Sequence, residues 1–207
     1  MKKGALFSFE GLDGSGKSTQ ISSLADLLGK QGWEVIVLRE PGGTPISERI
    51  RELLLDVNLD EMDDLAELLL YEASRAQLVA EVIRPALTEG KIVILDRYYD
   101  SSTAYQGYGR GLDLSLLEEL HRVVPCGVEP LLTFFIDVPP VESLGRLQGE
   151  LDRIEQQQLP FFERVREGYL EIAARNQRRF LVLDGRLERS KLHTLIADRT
   201  QTALKEM

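Results

Sequence analysis

The chain has 207 residues, 43% of them hydrophobic, with one cysteine and a formal net charge of −9. That is enough apolar content for one sizeable core, which excludes a disordered chain. A net-negative surface disfavours nucleic acid and anionic membranes as partners, Cys126 closes no internal disulfide, and no Cys/His cluster has zinc spacing.

The N-terminal MKKGALFSFE reads as a strand, because the apolar run Ala5 to Phe9 is too short for a signal h-region and ends at Glu10. No segment approaches the roughly 18 apolar residues of a membrane span, so a soluble, cytoplasmic protein is expected. Gly11 to Ser18, GLDGSGKS, fits GxxxxGK[ST] directly after that strand and opens a helix. The expected ATP cradle is Gly11, Leu12, Asp13, Gly14, Ser15, Gly16, Lys17, Ser18 and Thr19. Its glycines let backbone N–H groups face a phosphate, Lys17 bridges the β- and γ-phosphates, and the Ser18 hydroxyl holds Mg²⁺. The chain has no Asn-Lys pair for a guanine-reading N-K-x-D, and it is short for a motor, so a small-molecule kinase fits best.

A second apolar run, Glu34 to Leu38, ends in REPGGT, and Arg51 lies on the element beyond it. A long helix is predicted from about Met62 to Thr88. Tyr71 and Arg75 sit four apart on it and share a face. An aromatic plate beside a forked cation suits a flat heterocycle, although taken alone the pair is better explained as an ordinary cation–π contact on a helix surface. The third run, Ile92 to Leu95, ends in Asp96 and Arg97 and a loop rich in hydroxyls and amides. The fourth, Leu131 to Ile136, ends in DVPP, which turn chemistry explains. Gly145 to Pro160 is the most polar stretch, a flap or a solvated helix. The fifth run, Phe180 to Leu183, ends in DGR, with Gly185 and Arg186 a candidate adenine contact, and an amphipathic tail follows. His121 and His193 lie away from these motifs and read as structural.

Short apolar runs that do not alternate, separated by helical stretches, imply a parallel sheet of about five strands, buried on both faces by helices. The expectation is an α/β fold, one domain over residues 1–207, with a mobile lid at about 145–160. Its ligands should bind where the strands end.

FEGLDGSGKSTQ, REPGGTPISERIR, YEASRAQ, ILDRYYDSSTAYQGYGRG and GELDRIE occur in the order found in bacterial thymidylate kinases, and the likeness runs to about Ala173. The DRY-x-DSS-x-AYQG block is specific to that family among nucleoside monophosphate kinases. The resemblance implies the nucleoside monophosphate kinase type of P-loop fold, a homodimer, and transfer of the γ-phosphoryl of ATP to dTMP with Mg²⁺. It implies that Tyr71 stacks on thymine, that Arg75, Ser102 and Gln106 serve the base edge, and that Tyr105 packs on the sugar. It also implies that Arg51 and Arg97 hold the acceptor phosphate, that Asp13 lies near acceptor sugar and phosphate, and that Asp96 supports the metal shell with Ser18. Lys17, Arg97, Asp13 and a lid arginine then carry catalysis. Because Ser15 stands where some relatives have an arginine, the lid must supply one, and Arg153 in LDRIE is the candidate ahead of Arg146. The competing readings are another nucleotide or deoxynucleoside kinase on the same fold, and a non-catalytic ATP-binding module.

Overall fold

The computed structural model describes residues 3–125 and 127–207; Cys126, expected to be a structural thiol, lies outside the described residues. Five parallel strands form one sheet: β1 (Ala5–Glu10), β2 (Val35–Arg39), β3 (Ile92–Asp96), β4 (Leu132–Asp137) and β5 (Phe180–Asp184), in the order β2-β3-β1-β4-β5. Every strand runs one residue past its apolar run. Glu10, Arg39, Asp96, Asp137 and Asp184 are all still in register with a neighbour, since backbone pairing does not depend on side-chain polarity. The sheet therefore ends in a row of charged residues. From β1 the chain leads out to one edge and from β4 to the other, which opens a crevice at their carboxyl ends.

Successive side chains of β1 face opposite ways. Phe7 and Phe9 meet Leu24 and Leu28 of α1 (Lys17–Lys30) and Ile196 of α9 (Arg189–Glu206). Leu6 joins Val93 and Leu95 against Leu78, Val79 and Ile83 on the other face. Phe135 of β4 packs on that face with Phe161, Val165 and Tyr169 of α8 (Leu159–Arg175). Ser8 and Thr133 pair their hydroxyls at 2.7 Å within the core. Burial on both faces holds for β1, β3 and β4. Val37 of β2 and Val182 of β5 are 48% and 47% exposed because those strands form the sheet edges.

Helix α2 (Pro45–Leu55) starts at Thr44, whose hydroxyl accepts from the Ser47 N–H, with proline at the first helical position. Helix α3 (Asp64–Leu78) begins two residues later than Met62, because the Asp63 carboxylate caps the N–H groups of Leu65 and Ala66. A π-helical turn, Val79–Ile83, then joins it to α4 (Arg84–Thr88), with the Arg84 N–H reaching back to the Val79 carbonyl. The widened turn sits just before Pro85, which has no N–H to continue an α-helical ladder.

After β3 the stretch read as a loop is helical: α5 (Tyr99–Ser102) runs into a π-helical segment, Thr103–Gly109. Helices α6 (Leu114–Val123) and α7 (Pro140–Leu144) complete the set among the described residues. Residues 145–158 form turns rather than a solvated helix, and Arg153 and Ile154 within them are buried.

Candidate active site

The P-loop leaves β1 at Gly11, at φ 138°, where an added Cβ would lie 2.6 Å from the Ile136 carbonyl of β4. Only glycine lets the loop pass this close. The loop enters α1 through Gly16, at φ 96°, which aims the helix N-terminus at the crevice. Lys17 is buried, and its Nζ donates to the carbonyls of Gly11 at 3.0 Å and Leu12 at 3.1 Å. Burial, and after it the Arg97 charge, push its pKa below the usual lysine value. The Ser15 hydroxyl is buried without a partner. Helix α7 packs over the loop, where Ser143 Oγ donates to the Asp13 carbonyl at 2.7 Å. Beyond it, Arg146 donates to the Gly14 carbonyl at 3.2 Å.

At the end of β3, Arg97 has a left-handed backbone, φ 71°, the one non-glycine positive φ among the described residues. Such strain persists where neighbours hold it. Arg97 Nη2 donates to both Asp13 carboxylate oxygens, at 2.8 and 2.9 Å, and its Nη1 lies 3.4 Å from both Ser101 Oγ and Tyr169 Oη. Burial raises the Asp13 pKa, but the Arg97 and Lys17 charges outweigh it and hold the carboxyl well below its usual range. Beneath this pair lies Glu10, fully buried, accepting from the Tyr98 N–H at 2.8 Å, Ser101 Oγ at 2.5 Å and Tyr169 Oη at 2.8 Å. Burial and the nearby Asp100 push its pKa up to about 7.

A cavity of about 140 Å³ opens beside Arg97. Arg51, Tyr71, Arg75, Arg97, Ser102, Tyr105 and Gln106, gathered from four helical elements and the turn after β3, all line it, together with Asp13 of the P-loop. Arg75 is held on three sides: its Nε donates to Glu40 at 2.8 Å, its Nη1 to Glu72, and its Nη2 to Ser102 Oγ at 3.1 Å. Arg51 Nη1 donates to the Pro41 carbonyl at 3.0 Å. The Arg97 guanidinium stacks 5.0 Å from the Tyr105 ring, whose hydroxyl is buried and unpartnered. His121 packs its ring on Tyr99 and is held by burial at a pKa of about 4; neither it nor His193 lines the cavity.

One predicted residue makes other contacts than its expected role calls for. Arg153 does not reach the P-loop: it is buried, donating to the Leu54 carbonyl at 2.9 Å and to Glu67 at 2.6 Å. Arg146 is the arginine that touches the P-loop, because α7 delivers it there. Arg186 pairs with Asp184 at 3.0 Å, more than half exposed at the end of β5. Sequence reasoning assigned no role to Glu10, Glu67, Ser143 or Tyr169. The polarity of Glu10 and Glu67 within apolar surroundings was the available signal; Ser143 and Tyr169 gave none. The DVPP turn also does more than reverse the chain, since it seats α7 against the P-loop.

The donors fit a divalent cation. Asp96 Oδ1 is buried with no hydrogen-bond partner, and Asp96 lines one cavity with Ser18. Two protein oxygens, with the rest of the ligands from phosphate and water, are a donor set that suits Mg²⁺.

A P-loop, a strand-end charge pair and a walled acceptor cavity on a five-stranded parallel sheet define a P-loop kinase of the nucleoside monophosphate type. Comparison with known proteins gives the particular family. A sequence model described as thymidylate kinase matches residues 9–196. The chain is 49% identical to the thymidylate kinase of Prosthecochloris aestuarii over 201 residues, covering 92% of this chain and 90% of that one. It is 48% identical to that of Chlorobaculum tepidum over 202 residues, covering 92% and 94%. The crystal structure of thymidylate kinase from Ehrlichia chaffeensis superimposes with a TM-score of 0.79 at 36% identity, covering 96% of this chain and 99% of that one. The chain belongs to the thymidylate kinase family.

Proposed function

We propose that the reaction of this family, transfer of the γ-phosphoryl of ATP to dTMP to give dTDP and ADP, takes place between the P-loop and the cavity beside Arg97. The observation that carries this reading is the Arg97–Asp13 pair, which joins the wall of the acceptor cavity to the P-loop. The P-loop amides and Lys17 bind the ATP phosphates. Tyr71 stacks on the thymine ring, Arg75, Ser102 and Gln106 meet its edge, and Tyr105 packs on the deoxyribose. Arg51 and Arg97 hold the 5′-phosphate against Asp13.

The acceptor needs no general base. A phosphate monoester has a second pKa of about 6, so its oxygen is already anionic at neutral pH. Rate then comes from alignment and charge neutralisation. Lys17 leaves its two carbonyls for phosphate oxygens. Arg97, paired to Asp13 without acceptor, turns to the transferring group as the phosphates enter. Arg146 is the lid cation placed to join them; Arg153 supports the fold of the lid. Ser18 and Asp96 would hold Mg²⁺, which when bound neutralises phosphate charge.

We extend the reading to one domain with a lid at about 145–160, to a homodimer and to a cytoplasmic protein. Ile46 and Leu53 on α2, and Leu65 and Leu69 on α3, are between 42% and 55% exposed on two packed helices, an apolar face suited to a second copy. Leu68, beside them in sequence, is buried in the core instead. No helix of the described residues is long and apolar enough to cross a membrane.

The test is ADP formation with ATP and Mg²⁺, offering dTMP, dUMP, UMP, dCMP and thymidine in parallel. Preference for dTMP, lost in Lys17→Ala and Arg97→Ala, supports the site. Preference for thymidine or dCMP overturns the acceptor assignment.

A further inference from the structure

Glu67 of α3 is fully buried and accepts hydrogen bonds from three side chains on two separate segments, the π-helical segment with its cap and the stretch around residue 153. Gln106 Nε2 donates to its Oε1 at 2.9 Å. Arg110 donates to Oε1 at 3.2 Å and to Oε2 at 2.9 Å, and Arg153 donates to Oε2 at 2.6 Å. From this geometry we infer that Glu67 is a positioning residue for base selection: its carboxylate dictates which end of the Gln106 amide faces the acceptor base. The inference rests on the reading of Gln106 as a base-edge contact.

A glutamine amide alone cannot discriminate, because it offers an NH₂ or a carbonyl according to how it flips. An ionised carboxylate only accepts, so the NH₂ of Gln106 must lie on the Glu67 side. The carbonyl oxygen is left for the cavity. Two arginines keep Glu67 ionised: burial raises its pKa, but the hydrogen bonds and charge of Arg110, with Gln106 and Arg153, hold it below the usual glutamate value. A fixed carbonyl accepts from a pyrimidine whose N3 carries a proton, as in thymine. Against cytosine, whose N3 is itself an acceptor, two lone pairs would meet. A site with a fixed polar group rejects the wrong partner strongly, because the mismatch leaves buried groups unpaired.

Arg153 gives the same carboxylate a second role. It ties the base of the lid, at residue 153, to the group that orients the base reader. This accounts for an arginine in LDRIE that lies away from the phosphates.

The test is kcat/KM for dTMP and for dCMP, measured on the unmodified chain, Glu67→Gln and Arg110→Gln. Glu67→Gln keeps the shape but can both donate and accept, so Gln106 is free to flip. The dTMP-to-dCMP ratio then falls at least about tenfold, through KM more than kcat. Arg110→Gln removes one of the two cations that keep Glu67 ionised, so the ratio falls in the same direction and by a smaller factor. If Glu67→Gln lowers both substrates alike and keeps the ratio, Glu67 is merely structural and the inference is overturned. An unmodified chain without preference for dTMP would instead overturn the thymine reading on which the inference stands. Should Glu67→Gln not fold, side-chain amide exchange in the unmodified chain decides. Slow exchange of the Gln106 NH₂ protons before dTMP is added is expected, and free exchange overturns the proposal.

Discussion

Arg97 meets Asp13 through both carboxylate oxygens, at 2.8 and 2.9 Å, from a backbone held at φ 71°. The contact crosses from the end of β3 to the P-loop that follows β1. It places a cation of the cavity wall against the P-loop. Glu10 lies beneath and fixes the turn after Arg97 by accepting from the Tyr98 N–H and Ser101 Oγ.

Arg97→Lys keeps the positive charge but loses the fork that spans Asp13 and a phosphate oxygen. We expect kcat to fall by about a hundredfold or more, the scale of losing one preorganised charge contact, while thermal stability changes little. Steady-state kinetics beside a melting curve check this. A lysine variant with near-normal kcat would mean that Arg97 contributes only charge.

Arg146 and Arg153 should separate by phenotype. Arg146 is 43% exposed at its side chain and touches the P-loop, so Arg146→Ala lowers kcat and leaves stability intact. Arg153 is buried against Glu67, so Arg153→Ala removes one of the two cations on that buried carboxylate, leaves Arg110 to hold it, and costs about 2 kcal/mol of stability. Denaturant midpoints and kcat for the two variants measure the contrast. A catalytic defect in a fully stable Arg153→Ala chain would restore Arg153 to the lid role.

Glu40 gives a pH signature. Burial, together with the Glu72 and Glu10 charges, outweighs the attraction of Arg75 and raises its pKa from 4.5 to about 7. The folded chain therefore binds more protons than the unfolded chain between those values, so the Glu40 contribution to stability falls as pH rises from 4.5 to 7 and is flat above. Glu40→Gln removes this titration. The melting temperature of the unmodified chain relative to the variant should decline across that window, and a constant difference would show that Glu40 stays ionised.

Asp96→Asn keeps the size of the side chain and removes its charge. If Asp96 supports the metal, the variant needs more Mg²⁺ for half-maximal rate, while the dTMP KM at saturating Mg²⁺ is little changed. A titration of rate against Mg²⁺ reads this directly. An unshifted midpoint would remove Asp96 from the metal site.

The sequence by itself determined the sheet, the P-loop and the side chains that line the cavity beside Arg97. Apolar runs too short to span a membrane and too continuous to alternate favour the strands of a parallel sheet, and GxxxxGK[ST] behind such a strand has one common physical use. Tyr71 and Arg75 share a face because a helix returns to that face after four residues. These are local relations, set by chain geometry within a few residues. What only the tertiary structure decided are the long-range partners. Arg153 and Arg146 look alike in sequence, each a charged residue in a polar stretch. Which one meets the P-loop depends on where α7 ends and on where Glu67, 86 residues from Arg153, places its buried carboxylate. The helical path of Tyr99 to Gly109 was likewise hidden, since its glycines and hydroxyls favour turns until packing against α8 outweighs them. A buried charge has no fixed partner in the sequence; the fold brings one to it, and the desolvation penalty of leaving it unpaired makes that pairing binding.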